Sequence, residues 1–335
     1  MKYVKSLVNA AAFVVAAVVA AGCEQTVDME SYRGEHTLVL NAVANTDTTI
    51  MASVSTTWFF TDTQKPDALT DLNVELLVNG QSKGLLPYSD GFYRSDVKPM
   101  AGDRVTLRTV AEGKELTASD TMPETVSIER VEAKGEKVAG PGGVQVTQEG
   151  MISFDYDLAY TYTISFTDKT PGSRYYFVSV DSPTFRLGSF DYSYDPHFLA
   201  TTQEINQSLS DLKTVSPYGF PFTNAVDSTA RHTIQLVERG APFIFFPAED
   251  RERVVTIYSI TEAYYRYMVT LLANYDLTWH GDMTEKGLVQ PVKVFSNVSG
   301  GTGILACATP ARTTITLPAP AENSKYNFVT DAFGQ

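Results

Sequence analysis

Cysteine is nearly missing from this chain: there are two in 335 residues, Cys23 and Cys307. A disulfide framework is therefore excluded, and at most one bridge could form. Histidine is scarce as well, with His36, His197, His232 and His280 scattered along the sequence. No HExxH, CxxC, P-loop or EF-hand spacing occurs. This removes the motif-bearing zinc proteases, dithiol redox proteins and nucleotide hydrolases. Positive charge is in deficit, with 26 Lys and Arg against 39 Asp and Glu and a net charge of −13. That balance argues against nucleic acid or anionic headgroups as partners. No internal repeat and no low-complexity tract is present.

The apolar run from Ala10 to Ala21 is shorter than the roughly 20 residues a membrane span needs. It lies in MKYVKSLVNAAAFVVAAVVAAGC, behind Lys2 and Lys5 and ahead of small residues and a cysteine. This order is that of a secretory signal over 1–22. Ala20-Ala21-Gly22-Cys23 resembles a bacterial lipobox, with Ala20 where leucine is usual. Cys23 is then the lipidated N-terminus, and several acyl chains including palmitate would hold it stably on a membrane. With Cys23 so used, no intrachain disulfide is possible, and Cys307 in its apolar strand reads as packing rather than as a nucleophile. Without the leader the chain is 313 residues, with 24 Lys and Arg against 39 Asp and Glu, a net −15. The acidic, polar stretch 23–35 reads as a tether.

What is abundant is sheet-forming sequence: eighteen Tyr, eighteen Phe and many Thr and Val. The length allows two domains with cores of their own. Over 36–125 strand-sized runs follow one another, with turns at Asn79-Gly80 and Ala111-Glu112-Gly113. They predict an Ig-like β-sandwich closed by Pro123. A second, β-rich domain is expected over 126–318, followed by a tail at 319–335. In it, KGEKVAGPGG reads as a flexible loop carrying little structure. Alternation at Ile164, Phe166, Tyr176, Val178 and Val180 marks strands with one buried face. The fold class is thus mainly β, with one amphipathic helix near 260–275. Its stripe is Ala263, Tyr264, Tyr267, Met268, Leu271, Leu272 and Tyr275, and Ser259-x-x-Glu262 has the spacing of a capping box.

Gly301-x-Gly303-x-x-Ala306 follows an apolar run and raises the question of a dinucleotide site. Such a site needs a helix after the glycine turn and an acidic residue about twenty positions on. ILACATPARTTITLP is β-branched, holds Pro310 and has no helical stripe. The fingerprint is rejected, and the glycines are expected to serve a turn or bulge between strands.

Residues 183–230 are irregular, and a loop of that length in a compact domain is often functional. Asp191, Asp195 and His197 form the one candidate cation cluster; no metal or other cofactor is otherwise expected. Tyr192, Tyr194, Phe198, Tyr218, Phe220 and Phe222 crowd the same region, with Phe185 and Phe190 beside them. Each could plug a gap between sheets, while the region as a whole, 183–224, reads as a partner or ligand contact surface. Asp47-Thr48-Thr49, Asp120-Thr121-Met122 and Asp227-Ser228-Thr229 resemble an Asp-Ser/Thr acceptor pattern for envelope O-glycosylation, which gives Thr48, Thr121 and Ser228 as candidates.

Several stretches together resemble one family. SITEAYYRYMVTLLAN followed by PVKVFSNVSGGTGILAC, GDRVTLRTVAEGKELTASDTMPETVSI, and ISFTDKTPGSRYYFVSV are similar, in order, to segments of the domain-of-unknown-function 4249 family of Bacteroidota outer-membrane lipoproteins. The likeness covers most of 36–310, with the lipobox in front. Leu305 and Ala306 stand where the family tends to have an aromatic. The resemblance implies a lipid-anchored outer-membrane protein, often encoded beside a TonB-dependent receptor, with no assigned catalytic residues. The expectation is therefore a non-enzymatic accessory of a TonB-dependent β-barrel receptor in nutrient binding or uptake, anchored by Cys23 and exposed at the cell surface. The acidic tether of Glu24, Asp28 and Glu30 is loosely like a surface-export signal. The alternatives are a structural or adhesive surface protein that binds envelope proteins or glycans, and a metal-dependent hydrolase built on Asp191.

Overall fold

The computed structural model describes residues 33–59, 62–64, 66–147, 150–184, 187–205, 219–227, 229–245, 251–274 and 292–321. They belong to two compact units, one comprising 1–36 and 57–66 and the other 37–56 and 67–335. In the smaller unit the Arg33 guanidinium pairs with the Asp62 carboxylate at 2.7 Å and lies over the Phe59 ring. The regular secondary structure of the described residues lies in the larger unit.

Its strands are β1 (Leu38–Asn45), β2 (Met51–Thr56), β3 (Glu75–Val78), β4 (Gln81–Leu85), β5 (Tyr88–Ser89), β6 (Phe92–Arg94), β7 (Arg104–Ala111) and β8 (Lys114–Thr121), then β9 (Ser127–Thr147), β10 (Gly150–Thr167), β11 (Tyr175–Asp181), β12 (Ser189–Asp191), β13 (Phe220–Thr223), β14 (Arg231–Gly240), β15 (Glu252–Ile260), β16 (Val298–Ser299) and β17 (Thr302–Thr316). Two α-helices are described, α1 (Pro196–Ile205) and α2 (Glu262–Asn274). The protein is mainly β, as the composition and alternation imply.

One eight-stranded sheet, ordered β13-β11-β15-β17-β1-β2-β6-β5, runs through the whole unit. A five-stranded sheet, β16-β8-β7-β3-β4, and a four-stranded sheet, β12-β14-β10-β9, complete the fold. Strand parity shows how they stack. β1 buries Leu38, Leu40, Ala42 and Ala44, and β7 buries Val105, Leu107 and Ala111, all in one aliphatic cluster between the large sheet and the five-stranded one. β11 buries Tyr176, Val178 and Val180 and β10 buries Tyr160, Tyr162, Ile164 and Phe166, which form a second cluster against the four-stranded sheet. Two sandwiches thus share one sheet, and each core residue removed from water contributes about 1.5–3 kcal/mol before entropy is subtracted.

β17 is the shared strand. Thr302–Ala308 runs parallel to Val39–Asn45, and Ala308–Thr316 runs antiparallel to β15. Its inward Leu305 and Cys307 belong to the first core, Ala311 and Ile315 to the second. The sandwich begun at residue 38 is therefore finished by residues near 305, and β16 adds Val298 to the same core. Cys307 is free and fully buried, as packing requires.

The glycine stretch is explained by this return path. Strand β16, a turn and strand β17 follow in turn, and no helix follows them among the described residues. Gly300 has φ +81° and sits against the Glu115 carbonyl, and Gly303 has φ +114° and sits against the Leu40 carbonyl. A Cβ at either place would collide with backbone, so these glycines let the chain slip between β8 and β1.

Three local expectations are corrected. KGEKVAGPGG is not a loop: it lies within β9, paired with β10 from Ser127–Thr167 outward to Thr147–Gly150. A register shift opposite Phe154 and Tyr156 absorbs the irregularity, and Gly142, at φ +63°, supplies the left-handed residue there. Ladder bonding to a long apolar partner overrides the turn-like composition. The cap of α2 is not Ser259, which is still paired in β15 with Tyr176 and Thr309. Thr261 caps it, its Oγ1 accepting from the Tyr264 amide at 3.2 Å. The buried line of α2 is Tyr265, Val269 and Leu272, and Tyr264 and Met268 only flank it. Tyr275 lies outside the described residues.

Candidate functional site

The region 183–224 contains more structure than its composition suggests. Asp195-Pro196 starts α1: the Asp195 carboxylate accepts from the His197 amide at 2.9 Å, and proline occupies the first helical position, where no amide is needed. That dipeptide is the sequence signal for a helix where irregular chain was expected. β12 and β13 flank the helix, each pairing at the border of a sheet.

The aromatic residues of this region turn inward. Tyr192, Phe198, Phe220 and Phe222 are buried members of the second core, together with Phe190. Tyr192 stacks on Phe220 with centroids 5.0 Å apart, and Phe198 meets Phe220 and Phe222 edge-on at 5.8 and 5.3 Å. The contact surface expected from these four is corrected to a packed plug, because β13 brings its rings onto the inner face of the large sheet beside Tyr176 and Val178. Tyr194 is 60 % exposed and remains on the surface. Phe185 and Tyr218 lie outside the described residues.

The Asp191, Asp195 and His197 cluster is also spoken for. Asp195 Oδ1 accepts from the His197 amide and faces His197 Nδ1 at 2.8 Å, while Oδ2 accepts from the Gln235 amide at 2.7 Å. Asp191 Oδ1 accepts from the amide and hydroxyl of Ser193. Among the described residues no set of three His, Cys, Asp or Glu side chains converges as a cation cage. His197 and His232 are instead a buried pair with ring centroids 6.3 Å apart, set among Phe166, Tyr176 and Phe222. Burial, then the neighbouring His197, push the His232 imidazole below its ordinary range.

A polar group of Tyr162, Glu238 and Arg253 lies in the interior, between the sheets of the second sandwich. Glu238 on β14 and Arg253 on β15 form a doubly bonded pair, with Nε and Nη2 each 3.0 Å from a carboxylate oxygen. Tyr162 donates to the same carboxylate at 2.5 Å and the Gly188 amide at 2.9 Å. Both charged side chains are 0 % exposed. Burial and the adjacent Glu238 push the Tyr162 phenol well up. Arg253 is held above the ordinary guanidinium range, since Glu238 more than offsets the cost of burial. Each acceptor is filled and nothing reaches solvent, so the group ties two sheets together and has no free atom for chemistry. The sequence carries a sign of it: in RHTIQLVE, Glu238 falls on the buried phase of His232, Ile234 and Leu236, and Arg253 on that of Val255 and Ile257.

Two concavities border the large sheet. One, of ≈470 Å³, lies where the end of β8 meets the start of α2 and the turn before β11. Asp120 in its wall accepts from the Thr261 hydroxyl at 2.5 Å and from the Thr121 amide at 2.9 Å, and burial raises its carboxyl above the usual range. This bond fixes the cap of α2 to the first sandwich. Thr121, a glycosylation candidate, is exposed beside it, as Thr48 is in the turn after β1; Ser228 lies outside the described residues.

The other is a cleft of ≈330 Å³ on the outer face of the large sheet, the face that carries Phe177 and Tyr258 rather than Tyr176 and Ile257, with Ile260 and Ala308 of the second core reaching its wall. Its floor is Phe177 and Tyr258, directly paired across β11 and β15 with ring centroids 6.1 Å apart. Tyr264 from α2 forms one side, Asn45 and Val43 of β1 the other, and Ser179 and Asp181 an end. Tyr258 is pushed up, by burial first and then by Asp181, while hydrogen bonds with Ser179 and Thr256 pull it back. Arg312 lies 5.9 Å from the Tyr258 ring and pairs with Asp47. Asp181 is exposed here and Asn45, Phe177, Tyr258 and Tyr264 are partly so, while Ser179, Ile260 and Ala308 are buried. Cys23 lies outside the described residues.

A family model described as "Domain of unknown function (DUF4249)" matches residues 24–314. No curated protein matches the sequence. Among solved structures, a crystal structure described as a membrane-anchored protein from Corynebacterium diphtheriae is similar at 11 % identity and a TM-score of 0.20, over 67 % of this chain and 54 % of that one. The chain thus spans about half the length of that protein.

Proposed function

The chain belongs to the DUF4249 family, and from that premise we propose that it is a non-enzymatic, lipid-anchored protein of the outer membrane that assists a TonB-dependent β-barrel receptor in nutrient binding or uptake. The observation that carries the binding part is the contrast between its polar groups. In the interior, Glu238, Arg253 and Tyr162 satisfy one another, and Asp195 is taken up by His197 and the Gln235 amide. At the outer-face cleft, exposed Asp181 and partly exposed Asn45 stand beside partly exposed aromatic rings. Such a surface suits reversible contact rather than bond making. The hydrolase alternative loses its support, because Asp195 is spent on capping α1 and orienting His197. The anchor rests on the leader and Cys23. No described helix is long and apolar enough to cross a membrane, and a lipid anchor needs none.

Purification from native membranes in mild detergent tests the reading. A β-barrel receptor should co-purify in fixed stoichiometry, and mass spectrometry should find acyl chains on Cys23. Isolation as a bare monomer, with growth unchanged by deletion on every nutrient tried, would overturn it. Protease treatment of intact cells should degrade the protein if it faces outward.

A further inference from the structure

We infer that the outer-face cleft is a binding site for a neutral saccharide. The inference rests on the reading of this protein as a binding component, and it names the ligand class. The floor is two aromatic rings, Phe177 and Tyr258, with centroids 6.1 Å apart and planes inclined by 55°. A ring set against a sheet offers an apolar face to the C–H face of a sugar. Hydrogen-bonding groups of both kinds surround it. Asp181 supplies an acceptor carboxylate at one end, itself accepting from Ser179 at 3.1 Å. Asn45 supplies amide donors, its Oδ1 accepting from the Asp47 amide at 2.8 Å. Vicinal hydroxyls need such a mixture of donors and acceptors around an apolar floor.

Other ligand classes fit less well. A peptide strand would need an open sheet edge, whereas the cleft sits over β11, β15, β17 and β1, all paired on both sides. A nucleic acid would need a basic groove, and the net charge is −13. A lipid chain would need a cleft without Asn45 and Asp181 in its walls. A polyanion would meet Asp181, while the nearby Arg312 is engaged with Asp47.

The test uses the mature protein and isothermal titration with two sets of ligands: soluble neutral hexaoses of glucan, mannan, xylan and galactan type, and neutral polysaccharide released from the producing cell's own envelope. Binding to a member of either set supports the inference and tells an imported glycan from an envelope one. Asp181→Asn should weaken binding about tenfold, the loss of a charged hydrogen bond, with an unchanged melting temperature because Asp181 is exposed. Tyr258→Ala should weaken it at least as much, and Tyr258→Phe should keep part of it. Absence of binding to both sets overturns the inference, and so does binding that survives Asp181→Asn and Tyr258→Ala intact. If a receptor co-purifies and no saccharide binds, the ligand class fails alone. If saccharides bind and no receptor is found, the accessory reading fails alone.

Discussion

The two sandwiches bury their shared sheet in different ways. The first core is aliphatic, built from Leu38, Leu40, Ile50, Val54, Val74, Leu76, Val105, Leu107 and Leu116, with Tyr93 as its one fully buried ring. The second is aromatic, with Tyr160, Tyr162, Phe166, Tyr176, Phe198, Phe220 and Phe222 packed around a buried ion pair and two histidines. Aliphatic packing is non-directional and tolerates small shifts. Rings and charges demand fixed geometry, because each unmade hydrogen bond in a dry interior is costly. The first sandwich is therefore held by volume and the second by arrangement, and β17 couples the two.

The sharpest way to break this comparison is at the ion pair. Arg253→Ala strands Glu238 in the interior and should cost about 3–5 kcal/mol, as removal of one buried partner does. Thermal denaturation of the variant measures it. The triple change Glu238→Leu, Arg253→Met and Tyr162→Phe, which leaves only the Gly188 amide without its acceptor, should recover part of that loss. An Arg253→Ala protein as stable as the parent would refute the dry-pair description.

Next comes the aliphatic core. Leu107→Ala should cost about 2–5 kcal/mol through lost burial and a residual cavity. Because the sandwiches share a sheet, calorimetry should show one transition moved downward. Two separated transitions would mean that β17 does not couple them.

A smaller effect separates the two hydroxyls at the start of α2. Thr261→Ala removes both the cap and the bond to Asp120 and should cost about 1–2 kcal/mol. Ser259→Ala should change stability by no more than roughly 0.5 kcal/mol, since its buried Oγ has no hydrogen-bond partner. Equal losses in the two variants would restore the capping box over 259–262.

The smallest effect is on pH dependence. Burial lowers the folded-state pKa of His232 below 6.5. The unfolded chain then takes up a proton first as pH falls, so this contribution is complete above pH 6.5 and shrinks as pH drops from there toward the folded pKa. Denaturant titrations of the parent at a series of pH values should show this slope, and His232→Gln should flatten it. A first-core variant such as Leu107→Ala, which keeps His232, should retain the parent's slope.

Much of this was legible in the residues. Period-two alternation marked β10 and β11, because each has one face in a core. Asn79-Gly80, with φ +52° and +77°, marked its hairpin, since few other pairs adopt that turn. The missing helix after Gly303 excluded a dinucleotide site before any coordinate was known. The candidate site was less legible. Tyr192, Phe198, Phe220 and Phe222 lie in a stretch with no period, and period is what reports burial from sequence. The cleft joins Asn45, Asp181 and Tyr258, whose separation along the chain hides any pattern.

The sequence by itself determined the class of the fold, the alternation of its strands, the position of α2 to within a residue or two and, through the order of its motifs, the family. Tertiary structure alone decided that KGEKVAGPGG is strand, because its partner β10 lends it a ladder. It decided that the aromatic region faces inward, because β13 places its rings beside Tyr176 and Val178. It decided also that the last strand returns to the first, parallel to β1 across some 260 residues of chain. Local propensities act over a few neighbours, whereas strand pairing and burial are settled by whichever distant surface remains to be covered.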